Sequence, residues 1–400
     1  MDSRARNTLT PTLSRGEREE LSGEELSGEG LSGEGLSGEG LSGERITLLD
    51  GGAEAYPRML AAIASATRHV HLEVYAFEHR GVGAHFVEAL TAAAQRGVEV
   101  KVIVDGWGSI GESRALADTL RPAGIKVRVH NPLTSVLLLG RLWRNHRKIL
   151  LVDDAVAFLG GINIGDHYAA AEGRPGWADL ALELRGGICA QLGTRLNAGA
   201  SALVADPVRL LLSGFGGGWR LRARYLAALE QARREVVLAH AYFLPDRGFV
   251  RALTRAARRG VEVHLLLAGR SDVPFARAAT MRLYRTLLRG GVHIHEWTET
   301  TLHAKAAVVD GQRLLVGSFN LDPLSLVNLE TLVEVEDAGV AGQATRWVRR
   351  HLNGARPVGL EDCARSGPQR WLLDVVGLAV ARFAERVASF IGSRRMRRRG

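Results

Sequence analysis

The chain has 400 residues, 46% of them hydrophobic, and a formal net charge of +9. That size suits two ordinary domains or two fused halves of one unit, with ample apolar material for a buried core. The two cysteines, Cys189 and Cys363, lie in dissimilar surroundings, which excludes a disulfide framework or a cysteine metal cluster and suits a reducing compartment.

Residues 1–45 differ in composition from the rest of the chain. The sequence Leu-Ser-Gly-Glu recurs with a period of five from Leu21 to Arg45. One aliphatic residue per repeat cannot offset the conformational entropy lost on folding, so this segment is predicted to be a disordered low-complexity tail. It contains no apolar stretch long enough for a signal peptide or a membrane-spanning helix.

Positive charge is concentrated in the body of the chain. Residues 1–45 carry a net charge of −5, which leaves about +14 on the remaining 355 residues. Such a body is attracted to phosphate groups, either of nucleic acid or of an anionic bilayer. The sign of the charge alone does not choose between these partners.

The predicted elements of the body occur twice in the same order. Apolar periodicity predicts helix, strand, helix and strand in each half, at 54–67, 70–77, 82–95 and 98–104, then at 221–233, 236–242, 249–258 and 261–267. The passages around Gly97 and Gly260 match at an offset of 163 residues. The alternation predicts an α/β fold with parallel segments. The repeat predicts two halves, 46–205 and 206–355, that face each other across a pseudo-twofold axis.

Each half contains one copy of the pattern His-x-Lys-x4-Asp, followed after six residues by Gly-x-x-Asn. The first copy supplies His146, Lys148, Asp153 and Asn163, and the second supplies His303, Lys305, Asp310 and Asn320. On an extended strand, the histidine and lysine of each copy point to one face. A neutral imidazole can attack phosphorus, an ammonium can hold the phosphate oxygens, and a second imidazole can protonate the leaving oxygen. A single copy is typical of an ordinary surface or core pair, but a purely structural repeat does not explain why the polar residues recur.

This double pattern resembles the signature of the phospholipase D superfamily, over about residues 46–355. Other passages are similar to bacterial cardiolipin synthases of the type without N-terminal membrane-spanning helices: Gly160-Gly-Ile-Asn163-Ile-Gly-Asp166 with Tyr168, Trp177-Ala-Asp179, Ala241-Tyr-Phe-Leu-Pro-Asp246, Ser271-Asp272 and Gly317-Ser-Phe-Asn320-Leu-Asp322. The resemblance implies two phospholipase D-like α/β halves, each a mixed or parallel sheet flanked by helices. They are expected to face each other across one active site.

The resemblance also implies a mechanism. His146 attacks the phosphorus of a phospholipid and forms a covalent phosphohistidine, while His303 protonates the departing alcohol and deprotonates the incoming one. The sequence leaves open the exchange of these two roles. The non-bridging oxygens are expected to be held by Lys148, Lys305, Asn163 and Asn320. Two lysines supply the positive charge that a metal ion supplies in other phosphoryl-transfer enzymes, so neither a metal nor a cofactor is expected.

Further residues are expected to support this chemistry. In the family, an acid beyond each Gly-x-x-Asn segment holds the second nitrogen of an imidazole; Glu330 matches in the second half and Asp179 is its counterpart in the first. Asp153 and Asp310, at strand ends, are expected to fix the turn backbone rather than to touch substrate. Ser318 is a candidate hydrogen-bond donor to phosphate, where the first copy has glycine.

Residues 367–400 are predicted to form an amphipathic helix with a basic tail. Between residues 371 and 391, apolar side chains recur at steps of three and four, and charged residues interrupt the run, so it should not span a bilayer. Five arginines follow between Arg394 and Arg399. This combination suits the headgroup region of an anionic phospholipid membrane, and packing of a last helix on the core is the alternative.

The identity of the alcohol that attacks the intermediate decides whether the enzyme hydrolyses phospholipid or transfers its phosphatidyl group. The resemblance favours transfer between two phosphatidylglycerols with release of glycerol, or to another phospholipid or alcohol acceptor, by an enzyme peripheral on the cytoplasmic membrane of a bacterium. One alternative is a phospholipase D-type phosphodiesterase that hydrolyses phospholipid or nucleic acid, and another is a noncatalytic membrane-binding protein. The sequence has no interleaved aromatic and basic platform for stacking bases, so no nucleic-acid partner is expected.

Overall fold

The computed structural model describes residues 38–39, 43–132, 143–170, 175–196, 201–270 and 274–363, and of residues 38–39 and 274–279 it describes the backbone alone. The amphipathic helix predicted at 367–400 and most of the predicted disordered tail lie outside the described residues, so both remain predictions. Within the predicted tail, Gly38 and Glu39 form a short strand and Glu44 is buried. The folded body therefore begins before residue 46.

The first half contains a mixed eight-stranded sheet. Its strands are β1 (Gly38–Glu39), β2 (Arg45–Asp50), β3 (His69–Val74), β4 (Glu99–Asp105), β5 (Lys126–His130), β6 (Ile149–Val152), β7 (Val156–Gly160) and β8 (Leu180–Arg185). They are ordered β1-β2-β8-β7-β6-β3-β4-β5 across the sheet. Strands β3, β4 and β5 run parallel, and the other neighbours are antiparallel. The first motif therefore leads into a central strand, β6.

The second half repeats this arrangement in a nine-stranded sheet. Its strands are β9 (Ser201–Ala205), β10 (Val208–Leu212), β11 (Glu235–His240), β12 (Glu262–Ala268), β13 (His293–Trp297), β14 (Lys305–Val309), β15 (Arg313–Gly317), β16 (Thr331–Val335) and β17 (Arg356–Val358). Their order is β17-β13-β12-β11-β14-β15-β16-β10-β9. The parallel strands β11, β12 and β13 correspond to β3, β4 and β5. The hairpin β9–β10 belongs to this sheet, so the second sheet begins a few residues before residue 206.

Helices cover the outer faces of the sheets and part of the contact between them. The described residues contain eight α-helices: α1 (Gly51–Ala64), α2 (Val82–Gln95), α3 (Ser113–Leu120), α4 (Gly187–Arg195), α5 (Gly218–Gln231), α6 (Arg247–Arg258), α7 (Pro274–Arg289) and α8 (Ala338–Gly354). The predicted fold of two α/β halves is confirmed. Helix α1 begins three residues earlier than predicted, because Gly51 N–H donates to Asp179 O at 2.9 Å. Gly52 then approaches Tyr168 so closely that a Cβ would lie 2.5 Å from its carbonyl oxygen.

Buried apolar residues form three cores. The central core joins the two sheets and includes Leu151, Leu182, Val237 and Ala306, together with Trp347 of α8. One outer core lies beneath α1, α2 and α3, and the other lies beneath α5, α6 and α7. Strands β6 and β14 are buried on both faces, which explains the continuous apolar run after each lysine. The central core brings both copies of the motif into one folded unit.

The aspartate of each motif fastens the end of its strand to the start of a neighbouring strand. Asp153 has a left-handed backbone (φ 54°), and its carboxylate accepts hydrogen bonds from the N–H groups of residues 67–69, each at 2.8 Å. Asp310 (φ 58°) accepts in the same way from residues 233–235. Burial acts to raise the pKa of Asp153, but these hydrogen bonds outweigh it and lower the pKa to about 2. Both aspartates shape backbone at the strand ends remote from the histidines.

Replacing Asp153 by asparagine should destabilise the fold by about 1–3 kcal/mol at pH 7, because a neutral amide replaces a charged acceptor of several backbone hydrogen bonds. The contribution of Asp153 is fully present above its ordinary pKa of 3.8 and is lost as pH falls through about 2. Asp154→Asn is the matched control, since that carboxylate is paired with the half-exposed His69 ring at 3.1 Å and should contribute less than about 1 kcal/mol. Urea unfolding followed by circular dichroism measures both losses; equal losses would contradict the prediction.

Candidate active site

The segment that carries each histidine lies against the opposite half. The N–H of His146 donates to the carbonyl oxygen of Leu329 at 2.9 Å, and the N–H of His303 donates to that of Ala178 at 2.8 Å. Short parallel bridges flank both contacts. The backbone of one half therefore positions the histidine of the other, on extended segments that run into β6 and β14.

Each imidazole is held by a carboxylate from the opposite half. Nδ1 of His146 donates to Oε2 of Glu330 at 3.0 Å, and Nδ1 of His303 donates to Oδ2 of Asp179 at 2.6 Å. All four side chains are buried. The sequence predicted both acids, but it did not predict that each acid would hold the histidine of the opposite half. These bonds select the tautomer in which Nε2 of each ring carries the free lone pair.

The surroundings of the two carboxylates differ. Glu330 also accepts hydrogen bonds from the hydroxyls of Ser318 and Ser325. In the first half, Gly161 takes the place of Ser318, and a Cβ there would lie 2.3 Å from Oδ1 of Asp179. The single hydroxyl proton of Ser318 is thus donated to Glu330 in this structure, and the phosphate-donor role expected from the sequence stays a prediction. Ser318 supports the carboxylate that holds His146.

The charge states of the His303 pair suit proton transfer. Burial raises the pKa of Asp179 to about 7, against the attraction of Lys305. Burial also lowers the pKa of His303 well below its ordinary value, and the charges of Lys305 and Lys148 act in the same direction. Asp179 and His303 are hydrogen-bonded, so they bind and release one proton as a pair. A proton shared in this way can be passed to an oxygen atom of a bound substrate.

The two lysines bring positive charge to both imidazoles. Nζ of Lys148 donates to the carbonyl oxygen of His146 at 2.7 Å. Nζ of Lys305 lies 2.9 Å from Nδ1 and 3.1 Å from Nε2 of His303. Burial lowers the pKa of His146, and both lysines contribute to that shift against the opposing effect of Glu330. Each lysine acts on both histidines, so the four groups share one electrostatic field.

The asparagines of the two motifs are bound differently. Nδ2 of Asn163 donates to the Tyr168 hydroxyl at 2.8 Å, and its Oδ1 accepts from the N–H of Ala76 at 3.2 Å. The Tyr168 hydroxyl lies 3.4 Å from both ring nitrogens of His303. By contrast, Oδ1 of Asn320 is buried without a hydrogen-bond partner among the described residues. Asn163 is thus fixed through Tyr168, whereas Asn320 retains a free acceptor.

Aromatic rings line the cleft around both imidazoles. Tyr75 packs edge-on against His146 with ring centroids 5.0 Å apart, and its ring lies 5.1 Å from Nζ of Lys148. Tyr168 and Trp177 lie 5.3 and 5.7 Å from the His303 ring. The histidines and lysines are buried among these rings, and burial strengthens the electrostatic interactions between them.

A buried ion pair behind the first motif was not predicted. Arg147 lies between the histidine and lysine of that motif, and its Nη1 is 3.7 Å from Oε1 of Glu73. Its Nη2 donates to the carbonyl oxygen of Ser213 in the second sheet region at 2.5 Å. The second motif has Ala304 at the corresponding position. A comparison of the two motifs, arginine in one and alanine in the other, could therefore have indicated this link between the halves.

Comparisons with known proteins agree with this geometry. The family model described as "Cardiolipin synthase, PLD-like domain" matches residues 59–171 and 225–352, one segment in each half. The chain belongs to the cardiolipin synthases of the phospholipase D superfamily. It is 35% identical over 338 residues to cardiolipin synthase B of Escherichia coli K12, covering 78% of this chain and 80% of that protein. It is 32% identical over 297 residues to the cardiolipin synthase of Geobacillus kaustophilus, covering 69% of this chain and 59% of that protein.

Solved structures share the fold at low sequence identity. Phosphatidylserine synthase of Haemophilus influenzae Rd KW20 aligns with a TM-score of 0.67 and 13% identity, over 87% of this chain and 94% of that chain. Polyphosphate kinase of Porphyromonas gingivalis aligns with a TM-score of 0.53 and 17% identity, over 77% and 50%. At these identities the likeness is one of fold alone.

Membership of the cardiolipin synthase family makes the chain a phospholipase D-type phosphatidyltransferase that acts on phospholipid. Within the part of the chain that the structure describes, no helix combines the length and apolar character that a bilayer crossing needs.

Proposed function

We propose that the enzyme transfers a phosphatidyl group between two phosphatidylglycerols through a phosphohistidine on His146. Nε2 of His146 attacks phosphorus, the bond from phosphorus to the glycerol oxygen breaks, and a proton on His303 passes to that oxygen. A hydroxyl of the second phosphatidylglycerol then gives its proton to His303 and attacks the same phosphorus, which releases His146. Two phosphatidylglycerols are consumed, and one cardiolipin and one glycerol are formed. The observation that supports this proposal most is that each histidine is hydrogen-bonded to a buried carboxylate of the opposite half.

The choice of His146 as the nucleophile rests on its surroundings. A nucleophile needs a neutral imidazole, and burial lowers the pKa of both motif histidines, so the carboxylate partner has to distinguish them. Its Nδ1–H is directed at Glu330, whose two oxygens accept from Ser318 and Ser325. A carboxylate fixed by two hydroxyls holds the ring while Nε2 attacks, and it stabilises the positive charge that the ring acquires when bonded to phosphorus.

The general-acid role of His303 rests on Asp179. That carboxyl faces glycine rather than a serine hydroxyl, and burial raises its pKa to about 7. In this proposal, the proton shared by Asp179 and His303 passes to the leaving glycerol oxygen. This difference between the carboxylates supports different roles for two histidines with the same local sequence pattern.

The lysines favour an anionic substrate. Burial lowers the pKa of Lys148 well below its ordinary value, and the charge of Lys305 acts in the same direction. The mutual repulsion of these two ammonium groups is relieved when a phosphodiester anion enters between them. Their charges then offset the negative charge that builds up on the phosphate oxygens in the transition state. The acceptor Oδ1 of Asn320 is available for a hydroxyl of the substrate.

Membrane contact of the cleft rim is part of this proposal. Trp107 and Ile110, in the loop after β4, are 53% and 59% exposed, and Leu324, in the loop after β15, is 60% exposed. Arg144 joins the two loops: its guanidinium lies 5.7 Å from the Trp107 ring, and its N–H donates to Asn328, whose own N–H donates to the carbonyl oxygen of Leu324. Arg144 is two residues before His146 in the sequence. Exposed apolar side chains of both halves thus lie on loops joined through Arg144, close in sequence to the proposed nucleophile, at a position suited to a peripheral enzyme.

A substrate that needs no general acid should reveal the nucleophile. With phosphatidyl-p-nitrophenol, the His303→Ala variant should release about one nitrophenolate per active site in a burst and then slow by about 10²–10⁴-fold, because the second step lacks its base. Alkaline quenching and peptide mass spectrometry should place the phosphatidyl adduct on His146. The His146→Ala variant should show no burst.

A burst in His146→Ala, with the adduct on His303, would show that the two roles are exchanged. Absence of an adduct from both variants would reject the phosphohistidine.

The natural reaction is tested with the wild type in detergent, incubated with phosphatidylglycerol and separately with single-stranded DNA, and analysed by mass spectrometry. Cardiolipin and glycerol are expected. Phosphatidic acid as the sole lipid product would indicate hydrolysis, and DNA fragments would support the nuclease alternative.

Changing the rim to Trp107→Ser, Ile110→Ser and Leu324→Ser together should weaken sedimentation with phosphatidylglycerol vesicles by about tenfold or more, because apolar surface no longer enters the headgroup region. Turnover of a short-chain, monomeric phosphatidylglycerol should be unchanged. Val204→Ser is the control, since Val204 is 43% exposed on the edge strand β9. Vesicle binding that is equal for the triple variant and the control would exclude this rim as the membrane contact.

A further inference from the structure

We propose that the second sheet binds one zinc ion through His264, His293, Glu262 and Glu235, at the end of its parallel strands opposite the catalytic histidines. These residues take no part in the phosphatidyl-transfer chemistry. The proposal is therefore independent of the substrate and of the nucleophile.

The register of the parallel strands places the four side chains together. Glu235 of β11 pairs with Glu262 of β12, and His264 of β12 pairs with His293 of β13. Residues at i and i+2 of a strand share a face, so Glu262 and His264 lie on one side of the sheet with their partners. Ligand atoms of Glu235, Glu262 and His264 all lie within 4.8 Å of one another.

The fourth ligand is adjacent to this group. The rings of His264 and His293 are stacked, with centroids 4.9 Å apart and an interplanar angle of 20°. His295, two residues further along β13, lies 6.1 Å from His264, and its Nδ1 is buried without a partner among the described residues. Binding would require these side chains, which are not fully buried, to rotate until their ligand atoms lie about 2.0–2.2 Å from the ion.

The types of ligand atom indicate which metal ion would bind. Imidazole nitrogens combined with carboxylate oxygens are typical of zinc and related transition metals, whereas magnesium and calcium prefer oxygen ligands alone. Ligand imidazoles have to be neutral.

The first half provides an internal comparison. At the corresponding register positions, Lys101 of β4 pairs with Lys126 of β5, and Glu99 takes the place of Glu262. There the edge is joined by an ion pair, with Nζ of Lys126 2.5 Å from Oε1 of Glu99. Lysines cannot bind a metal while charged. The two halves therefore share the fold of this edge, but histidines replace the lysines in the second half alone.

The ion would connect several elements that position the second motif. The N–H of Glu235 donates to Oδ1 of Asp310, the aspartate of that motif, at 3.0 Å. Oε1 of Glu235 accepts from Nη2 of Arg349 on α8 at 2.6 Å, which leaves its other oxygen for the ion. Zinc at this edge would hold β11, β12, β13 and the Asp310 turn as one unit, and would thereby raise the stability of the second half.

Zinc titration of the full-length, untagged and chelator-treated protein tests the proposal. Isothermal titration calorimetry should give about one zinc per chain, and saturating zinc should raise the thermal midpoint, because an ion that binds only the folded state stabilises it. His264→Lys/His293→Lys should weaken zinc binding at least about tenfold and abolish the rise in midpoint. These lysines already occupy the equivalent edge of the first half, so the variant is expected to fold.

The catalytic histidines are a possible second source of binding, and His146→Asn/His303→Asn controls for them. This variant should bind zinc as the wild type does. Loss of binding in this variant, with retention in His264→Lys/His293→Lys, would place the ion in the catalytic cleft and overturn the proposal. Absence of binding by the wild type at micromolar zinc would overturn it as well. Circular dichroism of each variant establishes that it is folded.

Discussion

The rest of the structure depends on one constraint: each motif histidine is held by a carboxylate of the opposite half. Glu330 of the second half holds His146, and Asp179 of the first half holds His303, so neither half alone can pair its motif histidine with the carboxylate that holds it. All four groups are buried, and an unpaired buried carboxylate costs several kcal/mol. The halves therefore have to dock in one register. The central core between the sheets and the link from Arg147 to Ser213 provide that docking.

Two related halves have diverged around this shared arrangement. Serine hydroxyls support Glu330, whereas Gly161 faces Asp179, and this difference separates a nucleophile from a general acid in our proposal. A comparable divergence occurs at the other end of the sheets, where histidines of the second half replace lysines of the first. The fold thus keeps the backbone of a repeat and places different chemistry on its two copies.

The sequence predicted the fold, because polar residues recur at fixed spacing inside a repeated helix–strand pattern. It also named the side chains that the structure brings together around the two motif histidines, and their catalytic roles remain predictions. It did not predict which acid holds which histidine. A motif gives the order of residues within one half of the chain, but it does not tell which half a side chain contacts. The hydroxyl of Ser318 was expected at the phosphate, but the longer side chain of Glu330 brings an acceptor within its reach. Arg147 was overlooked because it fills a variable position of the motif. Helix α1 began early because Gly51 is fixed by a contact with Asp179, far away in sequence.

The exchanged pairing is most directly tested by histidine-selective ¹⁵N NMR of the full-length enzyme, with ring signals assigned through His146→Asn and His303→Asn. Protonated Nδ1 is predicted for both rings. Glu330→Gln should disturb this tautomer in His146 and leave that of His303, and Asp179→Asn should do the reverse. Loss of the His303 tautomer in Glu330→Gln, with His146 unaffected, would contradict the account.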